Sequence, residues 1–330
     1  MNRVKKIIKT ILKIAGILIA AVFLLIMVLA VRNGIMTKKD RALVENAYGD
    51  FFVLNSGERM NYTFYDSEAQ KVAVLLPGYG VSSVHYEFDT LAKRISDEYR
   101  VIIAEPLGYG LSDKTARERT TENYCDELHQ LMTYLMNEKG FDRYTIIGHS
   151  ISGLYAPEYT NLYPDEVASF IGIDASVPRQ IQYGPDSTKP ANMYKTQKMM
   201  KMLLIDTGIY RLIMDLSVNS MMDRIPTIGD AEKDKFLAMN CLDQLNETQM
   251  DEMRRFAENA QKCFDTKYPE SVPVLFILSN DNCGMIPEWE QIHREVVSSP
   301  EGRIVRMDGP HELYLYNIEG LLKEIKDWKF

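Results

Sequence analysis

Residues 144–153 read Tyr-Thr-Ile-Ile-Gly-His-Ser-Ile-Ser-Gly and lead from a strand directly into a helix. The β-branched run predicts a strand that ends at Gly148, and a helical pattern begins after Ser150 with no loop between them. A serine on so tight a turn points outward at the carboxyl edge of a sheet, where the first amide groups of the following helix face whatever the serine attacks. The segment therefore predicts a sheet with a helix packed on it and a nucleophile, Ser150, at their junction.

Apolar strands alternate with helical segments along most of the chain. Strands are expected at residues 50–58, 60–66, 71–78, 101–104, 144–148, 168–174, 272–279 and 303–307, and helices at 85–97, 121–138, 151–163 and 317–328. Several of these strands are apolar without alternation, which is typical of strands covered on both faces. The pattern therefore predicts an α/β fold with a mostly parallel, doubly wound sheet.

Residues 178–271 interrupt this alternation, because they contain no convincing strand and hold ten of the eighteen methionines. They predict several helices inserted between two strands of the sheet. Flexible thioether side chains adapt to apolar ligands, so we interpret the insertion as a cap over the active site that suits an apolar substrate. A helical subdomain with a methionine-rich core and no role in binding is the alternative.

The N-terminal region contains eighteen consecutive residues without a charge, 14–31, which suffice for a nearly upright helix to cross a bilayer. Five basic side chains precede this run and are expected on the cytoplasmic side. A cleaved secretory signal is the alternative, but its apolar core would be about 7–15 residues long and would end in small residues. We therefore predict a single-pass anchor in the cell membrane, with a cytoplasmic N-terminus and the globular domain outside the cytoplasm.

Charge divides the chain at the same place. Residues 1–41 carry nine basic side chains and one acidic side chain, and since the whole chain carries −8, residues 42–330 carry −16. So acidic a domain lacks the clustered Lys and Arg that nucleic acids require, and no nucleic-acid partner is expected. Anionic lipid would also repel the domain, so attachment to the membrane is expected from the helix alone. We predict three units: a tail and anchor at 1–41, a core at 42–177 and 272–330, and the cap at 178–271.

The cysteines do not indicate a metal site. The chain has no CxxC pair and no metal-ligand spacing, and its four cysteines are Cys125, Cys241, Cys263 and Cys283. Buried free thiols are one interpretation, and disulfides, in any of three pairings, are the other.

Three further motifs accompany the serine turn in a fixed order. Residues 76–80 read Leu-Pro-Gly-Tyr-Gly after the third strand, and residues 105–113 read Glu-Pro-Leu-Gly-Tyr-Gly-Leu-Ser-Asp after the fourth. The serine turn follows, and residues 307–312, Met-Asp-Gly-Pro-His-Glu, come after the last strand. In this order the motifs resemble those of the α/β-hydrolase superfamily, in particular the branch of epoxide hydrolases, dehalogenases and proline iminopeptidases.

The chain departs from the superfamily pattern at three positions. Ser152 occupies the last glycine of G-x-S-x-G, where a small residue is needed because strand and helix pack closely. Glu105 replaces the aspartate of D-x-x-G-x-G-x-S, a loop to which we assign no chemistry. Pro77-Gly78 stands where many relatives have His-Gly.

The resemblance implies the roles of the site residues. Ser150 would be the nucleophile and His311 the general base and acid. The N–H groups of Tyr79 and Ile151 would form the oxyanion hole, in which each donor is typically worth about 3 kcal/mol. No metal or organic cofactor is expected.

The acid that orients His311 has two candidates. Most of the superfamily carries it after the seventh strand in a G-x-x-D turn, and here Ser279-Asn-Asp-Asn282 places Asn282 at that position and Asp281 one residue earlier. The dehalogenase relatives carry it after the sixth strand, where this chain has Asp174. The uncharged turn and the available carboxylate favour Asp174, and Asp281 remains the alternative.

A serine nucleophile implies an acyl-enzyme, whereas dehalogenase and epoxide-hydrolase chemistry needs a carboxylate at that position. The expected function is therefore a serine hydrolase that acts on a small-molecule ester, thioester or amide, with a carboxylesterase or lipase-like activity favoured. A proline-iminopeptidase-like aminopeptidase and a non-catalytic binding protein of the same fold are the alternatives.

Overall fold

The structure is a computed structural model that describes residues 2–184 and 189–330. A single sheet forms its centre, and the described strands are β1 (Asp50–Val53), β2 (Arg59–Tyr65), β3 (Lys71–Leu76), β4 (Tyr99–Ala104), β5 (Tyr144–His149), β6 (Val167–Ile173), β7 (Val274–Ser279) and β8 (Arg303–Met307). Their order is β1-β2-β4-β3-β5-β6-β7-β8. β1 pairs antiparallel with β2 and β2 with β4, and the remaining pairs are parallel. The prediction of a mostly parallel, doubly wound sheet is confirmed.

One helix precedes the sheet in the sequence, and the others follow or connect its strands. They are α1 (Asn2–Val44), α2 (Val84–Arg94), α3 (Thr121–Lys139), α4 (Ser152–Leu162), α5 (Pro190–Met200), α6 (Ile209–Met222), α7 (Lys233–Cys241), α8 (Glu247–Lys262), α9 (Asn280–Met285), α10 (Trp289–Val296), α11 (Leu313–Tyr316) and α12 (Ile318–Lys326). A π-helical turn, Lys201–Ile205, continues α5. The sequence pattern predicts α2, α3, α4 and α12 to within a few residues, but not the short helices α9 to α11.

Alternating residues of the central strands pack into two separate apolar cores, one on each face of the sheet. Val74 packs into a cluster with side chains of α3 and α4, and Leu75 packs into a cluster on the opposite face with side chains of α2 and α12. Successive side chains of a strand point to opposite faces, so a strand covered on both sides must be apolar throughout. All four cysteines are buried and free, which confirms the interpretation as buried thiols.

The order of the strands places the candidate site. The chain passes from β3 to β4 on one side and then to β5 on the other side of β3. Ligands of open α/β sheets bind beyond the carboxyl ends of the strands where the order reverses in this way. The turn after β3 and the serine turn after β5 both lie at that point.

Helices α5 to α8 form the insertion between β6 and β7. The described part of residues 178–271 contains no strand, as predicted. α8 packs directly on the core, where buried Glu252 accepts hydrogen bonds from the hydroxyls of Tyr109 and Tyr155. The interpretation of this insertion as a separate cap unit stays a prediction.

The N-terminal helix α1 is one uninterrupted helix of 43 residues. It is long and apolar enough to cross a membrane, and its most apolar stretch is not buried by the rest of the protein. Its C-terminal part packs on α6 and α7, and a buried ion pair joins Asp40 Oδ2 to Arg211 Nη2 at 2.6 Å. The helix therefore continues past the predicted boundary at residue 41, and its C-terminal end packs against the globular part of the protein.

Candidate active site

The turn from β5 to α4 holds Ser150 in a left-handed conformation, with φ of 52°. Positive φ is uncommon outside glycine and is often found at functional sites. Close packing maintains the turn, because a Cβ at Gly153 would lie 2.5 Å from the carbonyl oxygen of Ser176. The Ser152 side chain fits where a glycine is usual, since its hydroxyl donates a 2.6 Å hydrogen bond to the carbonyl of Pro77. Ser152, a departure from G-x-S-x-G, therefore joins the turn between β5 and α4 to the turn after β3.

The structure brings His311 and Asp174 together from distant parts of the chain. His311 lies between β8 and α11, and Asp174 directly follows β6 in another positive-φ conformation, with φ of 40°. Nδ1 of His311 lies 2.6 Å from Oδ2 of Asp174. The contact leaves Nε2 as the ring nitrogen available for a proton from another group.

Three further donors hold the Asp174 carboxylate, which is completely buried. Oδ1 accepts hydrogen bonds of 3.0 Å from the N–H of Ser279 and from Nε1 of Trp289. Oδ2 accepts a 2.6 Å hydrogen bond from Nδ2 of Asn282 as well as the contact from His311. Hydrogen bonds to the charged form stabilise a buried carboxylate that would otherwise be costly. Each oxygen has two donors, so the carboxylate is fixed in one orientation toward the imidazole.

Asp281, the alternative acid, lies elsewhere. It belongs to the first turn of α9 and is exposed, and its N–H bonds to the hydroxyl of Ser279. The neighbouring Asn282 points to the site instead, with Nδ2 3.2 Å from Nδ1 of His311. The G-x-x-D position of the superfamily is thus beside the imidazole in this chain, but it carries an amide.

The pKa values of the two histidines of the site are shifted in opposite directions. Burial lowers the pKa of His311, but the hydrogen bond and the charge of Asp174 raise it by more, so that the pKa lies above its usual value. Burial, followed by the proximity of His311, lowers the pKa of His149 far below its usual value, so that this ring is neutral near pH 7. Nε2 of His149 lies 3.2 Å from the carbonyl oxygen of His311 and helps to position that backbone.

Two backbone N–H groups beside the serine turn have no hydrogen-bond partner among the described residues. Among the residues that the structure describes, neither Tyr79 nor Ile151 donates a backbone hydrogen bond. Gly78 makes the approach possible, because a Cβ there would lie 2.5 Å from Nδ1 of His149 and 3.1 Å from Cβ of Ser150. The hydroxyl of Tyr79 lies 3.0 Å from both Oε1 of Gln197 and the carbonyl of Gln249, so its side chain reaches the inserted helices.

Ser150 and His311 line one cavity of about 320 Å³, together with Tyr79 and Glu87. The hydrogen bonds of residues 2–184 and 189–330 do not include one between Ser150 and His311, a contact that in many enzymes tightens only when substrate binds. Burial raises the pKa of Glu87 to about 7, even though hydroxyls of Tyr314 and Ser83 are its hydrogen-bond partners. The described residues contain no cluster of three or more His, Cys, Asp or Glu side chains able to hold a metal ion.

Sequence reasoning did not assign roles to Asn282, Trp289 and His149. Asn282 carried a signal, because it stands at the position of the usual acid, but its orientation toward His311 depends on the fold. Trp289 lies 115 positions from Asp174 and reaches it only because the fold brings α10 to the segment that follows β6. No pattern in the sequence connects these two residues.

Comparison with known proteins agrees with this architecture. A family model described as alpha/beta hydrolase fold matches residues 72–282. The chain is 25% identical over 324 residues to the uncharacterized protein YbdG of Bacillus subtilis, covering 95% of both chains. It is 34% identical over 105 residues to a proline iminopeptidase of Clostridium botulinum, covering 31% of this chain and 34% of that protein. The crystal structure of Cfl2 from Burkholderia cenocepacia has a TM-score of 0.66 at 17% identity and covers 86% of this chain and 97% of its own. The chain therefore belongs to the α/β-hydrolase fold family, and it is a hydrolase of that family.

Proposed function

We propose that the protein is a membrane-anchored serine hydrolase that cleaves a carboxylic ester through an acyl-enzyme. The observation that carries this proposal is the 2.6 Å contact between Nδ1 of His311 and the fully bonded carboxylate of Asp174, at the wall of the cavity that Ser150 also lines. A nucleophile, a base and an orienting acid are the groups that acyl transfer requires.

In the first step Oγ of Ser150 attacks the carbonyl carbon of the ester, and its proton passes to Nε2 of His311. Asp174 stabilises the imidazolium that forms. The former carbonyl oxygen, now negatively charged, accepts hydrogen bonds from the N–H groups of Tyr79 and Ile151, which have no other partner among the described residues. The C–O bond to the alcohol then breaks, and His311 returns the proton to the leaving oxygen.

In the second step water attacks the acyl-enzyme. His311 removes a proton from the water, and the tetrahedral intermediate again relies on the two N–H groups. Collapse of this intermediate releases the carboxylic acid, and the proton returns to Ser150. Because a hydroxyl rather than a carboxylate stands at position 150, the intermediate is an acyl ester and not the alkyl ester of epoxide-hydrolase chemistry.

The anchor is supported by the length and composition of α1 and by its exposure. The most apolar stretch of α1 has no buried residues, which is unlike a core helix of a soluble protein. The same helix continues into contacts with α6 and α7, which removal of a signal sequence would disrupt. Five basic side chains before residue 14 support a cytoplasmic N-terminus.

The test is labelling of the full-length protein by a fluorophosphonate probe, which reacts with activated serines. We expect Ser150→Ala to abolish labelling, and we expect the wild type to hydrolyse p-nitrophenyl acyl esters. Ser82→Ala is the matched control, because Ser82 lines the same cavity and its buried hydroxyl has no hydrogen-bond partner among the described residues.

Undiminished labelling of a folded Ser150→Ala protein would place the nucleophile elsewhere. Hydrolysis of proline arylamides in preference to the esters would favour the aminopeptidase alternative. Failure of every acyl substrate and probe, with circular dichroism showing a folded protein, would favour a binding protein of the same fold.

A further inference from the structure

The insertion touches α1 at the end of its apolar run. Gly208, between the π-helical turn and α6, packs so closely on α1 that a Cβ there would lie 2.5 Å from the carbonyl oxygen of Leu29. Nδ2 of Asn33 donates a 3.3 Å hydrogen bond to the carbonyl of Ile205. Asn33 lies two residues beyond Val31, which is about 3 Å along a helix axis. With residues 14–31 across a bilayer, this part of the insertion lies at the membrane surface.

The helices on either side of Gly208 expose an unusual amount of apolar surface. We call it the apolar cap face, and its residues are Met199, Met202, Leu203, Leu212, Ile213 and Leu216. Leu216 is 80% exposed, and the other five are between 40% and 59% exposed. Single exposed apolar side chains are ordinary, but a group of this kind marks an interaction surface.

The charge around the apolar cap face is opposite to that of the domain. Residues 42–330 carry −16, yet residues 189–205 contain four lysines and no acidic residue. Within the described part of the chain, Lys195 and Lys198 are exposed and form no ion pair, whereas Lys201 pairs with Asp206. Exposed lysines beside apolar side chains are typical of segments that lie in the headgroup region of a bilayer. The repulsion from anionic lipid that the net charge predicts is therefore reversed locally.

A second cavity connects this surface to the site. It has a volume of about 290 Å³ and shares Tyr79, Gly80, Tyr210 and Gln244 with the cavity of Ser150. Its remaining lining includes Met200, Leu204 and Ile205, which lie in the same helical segment as the apolar cap face. An acyl chain can follow this apolar lining from the cap surface to the nucleophile.

We infer that the apolar cap face rests in the outer leaflet of the bilayer, and that the enzyme takes lipid acyl esters directly from the membrane through the second cavity. This inference rests on the proposed function and adds the substrate class and the direction of entry. The occupant of the surface is a phospholipid bilayer with anionic headgroups, which matches the apolar side chains and the unpaired lysines together.

The first experiment compares two esters in proteoliposomes that contain the full chain in equal parts of phosphatidylcholine and phosphatidylglycerol. 4-Methylumbelliferyl oleate resides in the membrane, and 4-methylumbelliferyl acetate is soluble. Leu203→Glu should lower the rate with the oleate ester about tenfold or more, because the carboxylate opposes insertion, and leave the rate with the acetate ester within about twofold. Leu162→Glu is the control, since Leu162 is also 50% exposed but ends α4, at the opposite edge of the sheet. It should change neither rate.

The second experiment does not depend on activity. A tryptophan introduced by Leu203→Trp should be quenched by phosphatidylcholine brominated in its acyl chains, and one introduced by Leu162→Trp should not. The two native tryptophans, Trp289 and Trp328, are buried and give a constant background.

The outcomes separate the inference from the proposed function. A wild type that cleaves neither ester and takes no fluorophosphonate refutes the proposed function, while the quenching still decides whether the face meets lipid. Equal loss of both rates in Leu203→Glu, or no quenching of Leu203→Trp, overturns the inference. If Leu203→Trp is not quenched and two protein molecules can be crosslinked through the apolar cap face, that surface binds a second molecule of this chain.

Discussion

The carboxylate of Asp174 receives donors from four residues, and this arrangement explains why an acid after β6 can orient the imidazole. Its four partners come from the end of β7, from α9, from α10 and from the loop before α11. Motif order in the sequence singled out Ser150 and His311 as candidates and favoured Asp174 over Asp281, and the structure brings Asp174 into contact with His311. The supporting donors could not be predicted, because Asn282 and Trp289 meet Asp174 only through packing of helices that follow distant strands.

The consequence of this arrangement can be measured with Asp174→Asn. We expect kcat with a p-nitrophenyl ester to fall by roughly 10³–10⁴, as loss of the triad acid does in serine proteases. His311 must be neutral to act as a base, and Asp174 raises its pKa. In the wild type the rate should therefore fall as the pH drops through this raised pKa, and in the variant this fall should move to lower pH.

Asp281→Asn is the matched control, because its carboxylate is exposed and is not a partner of His311. It should leave kcat and the pH profile unchanged. The opposite pattern, with activity lost in Asp281→Asn and retained in Asp174→Asn, would assign the acid to α9.

At the scale of elements, the loop after β4 shows how one departure from the superfamily pattern is accommodated. Oε2 of Glu105 accepts a 2.6 Å hydrogen bond from the N–H of Leu111, and Oε1 accepts one of 3.0 Å from the hydroxyl of Tyr48. The carboxylate occupies the space beside Gly110, where a Cβ would lie 2.0 Å from Cδ of Glu105. The sequence correctly predicted a structural loop, but the use of Gly110 to admit the longer glutamate is visible only in three dimensions.

Gly110→Ala should therefore be more damaging than an ordinary glycine substitution. Gly110 and Gly140 have φ of 50° and 66°, so alanine meets a similar backbone strain of about 1 kcal/mol at both positions. A Cβ at Gly140 has no neighbour within 4 Å, whereas one at Gly110 displaces a buried carboxylate. We expect Gly110→Ala to lower the free energy of unfolding by at least about 2 kcal/mol more than Gly140→Ala, measured by urea denaturation in detergent. Equal effects of the two variants would show that the loop adapts.

At the scale of the molecule, α1 and the inserted helices form one packed body. Val44 of α1 belongs to the same apolar cluster as Val218 of α6 and Phe236 of α7, and the side chains of Arg211 and Asp40 are only 2% and 8% exposed. Composition divided the chain near residue 41, where the net charge changes sign, whereas α1 continues to Val44. Contacts between residues more than 170 positions apart have no sequence signature, so the docking of α1 could not be predicted.

Arg211→Ala tests this docking. Removal of one partner leaves the carboxylate of Asp40 buried without its counter-charge, which typically costs roughly 3 kcal/mol. We expect a clear fall in the thermal midpoint of the full-length protein in detergent. Arg94→Ala is the control, because its ion pair with Glu319 is exposed, and it should leave the midpoint unchanged. A stable Arg211→Ala protein would mean that this ion pair contributes little to the docking of α1 on α6.

The unbroken course of α1 constrains how such an enzyme meets its substrate. The helix is about 65 Å long and enters the globular body without a flexible linker. With the apolar run of α1 in a bilayer, the catalytic cavity stays at a fixed height above the membrane. Its remaining motions are rotation about the membrane normal and lateral diffusion in the plane of the bilayer. Turnover would then depend on the surface density of ester in the surrounding leaflet. Adding lipid that carries no ester would lower this density and slow the enzyme, whereas increasing the volume of buffer would not.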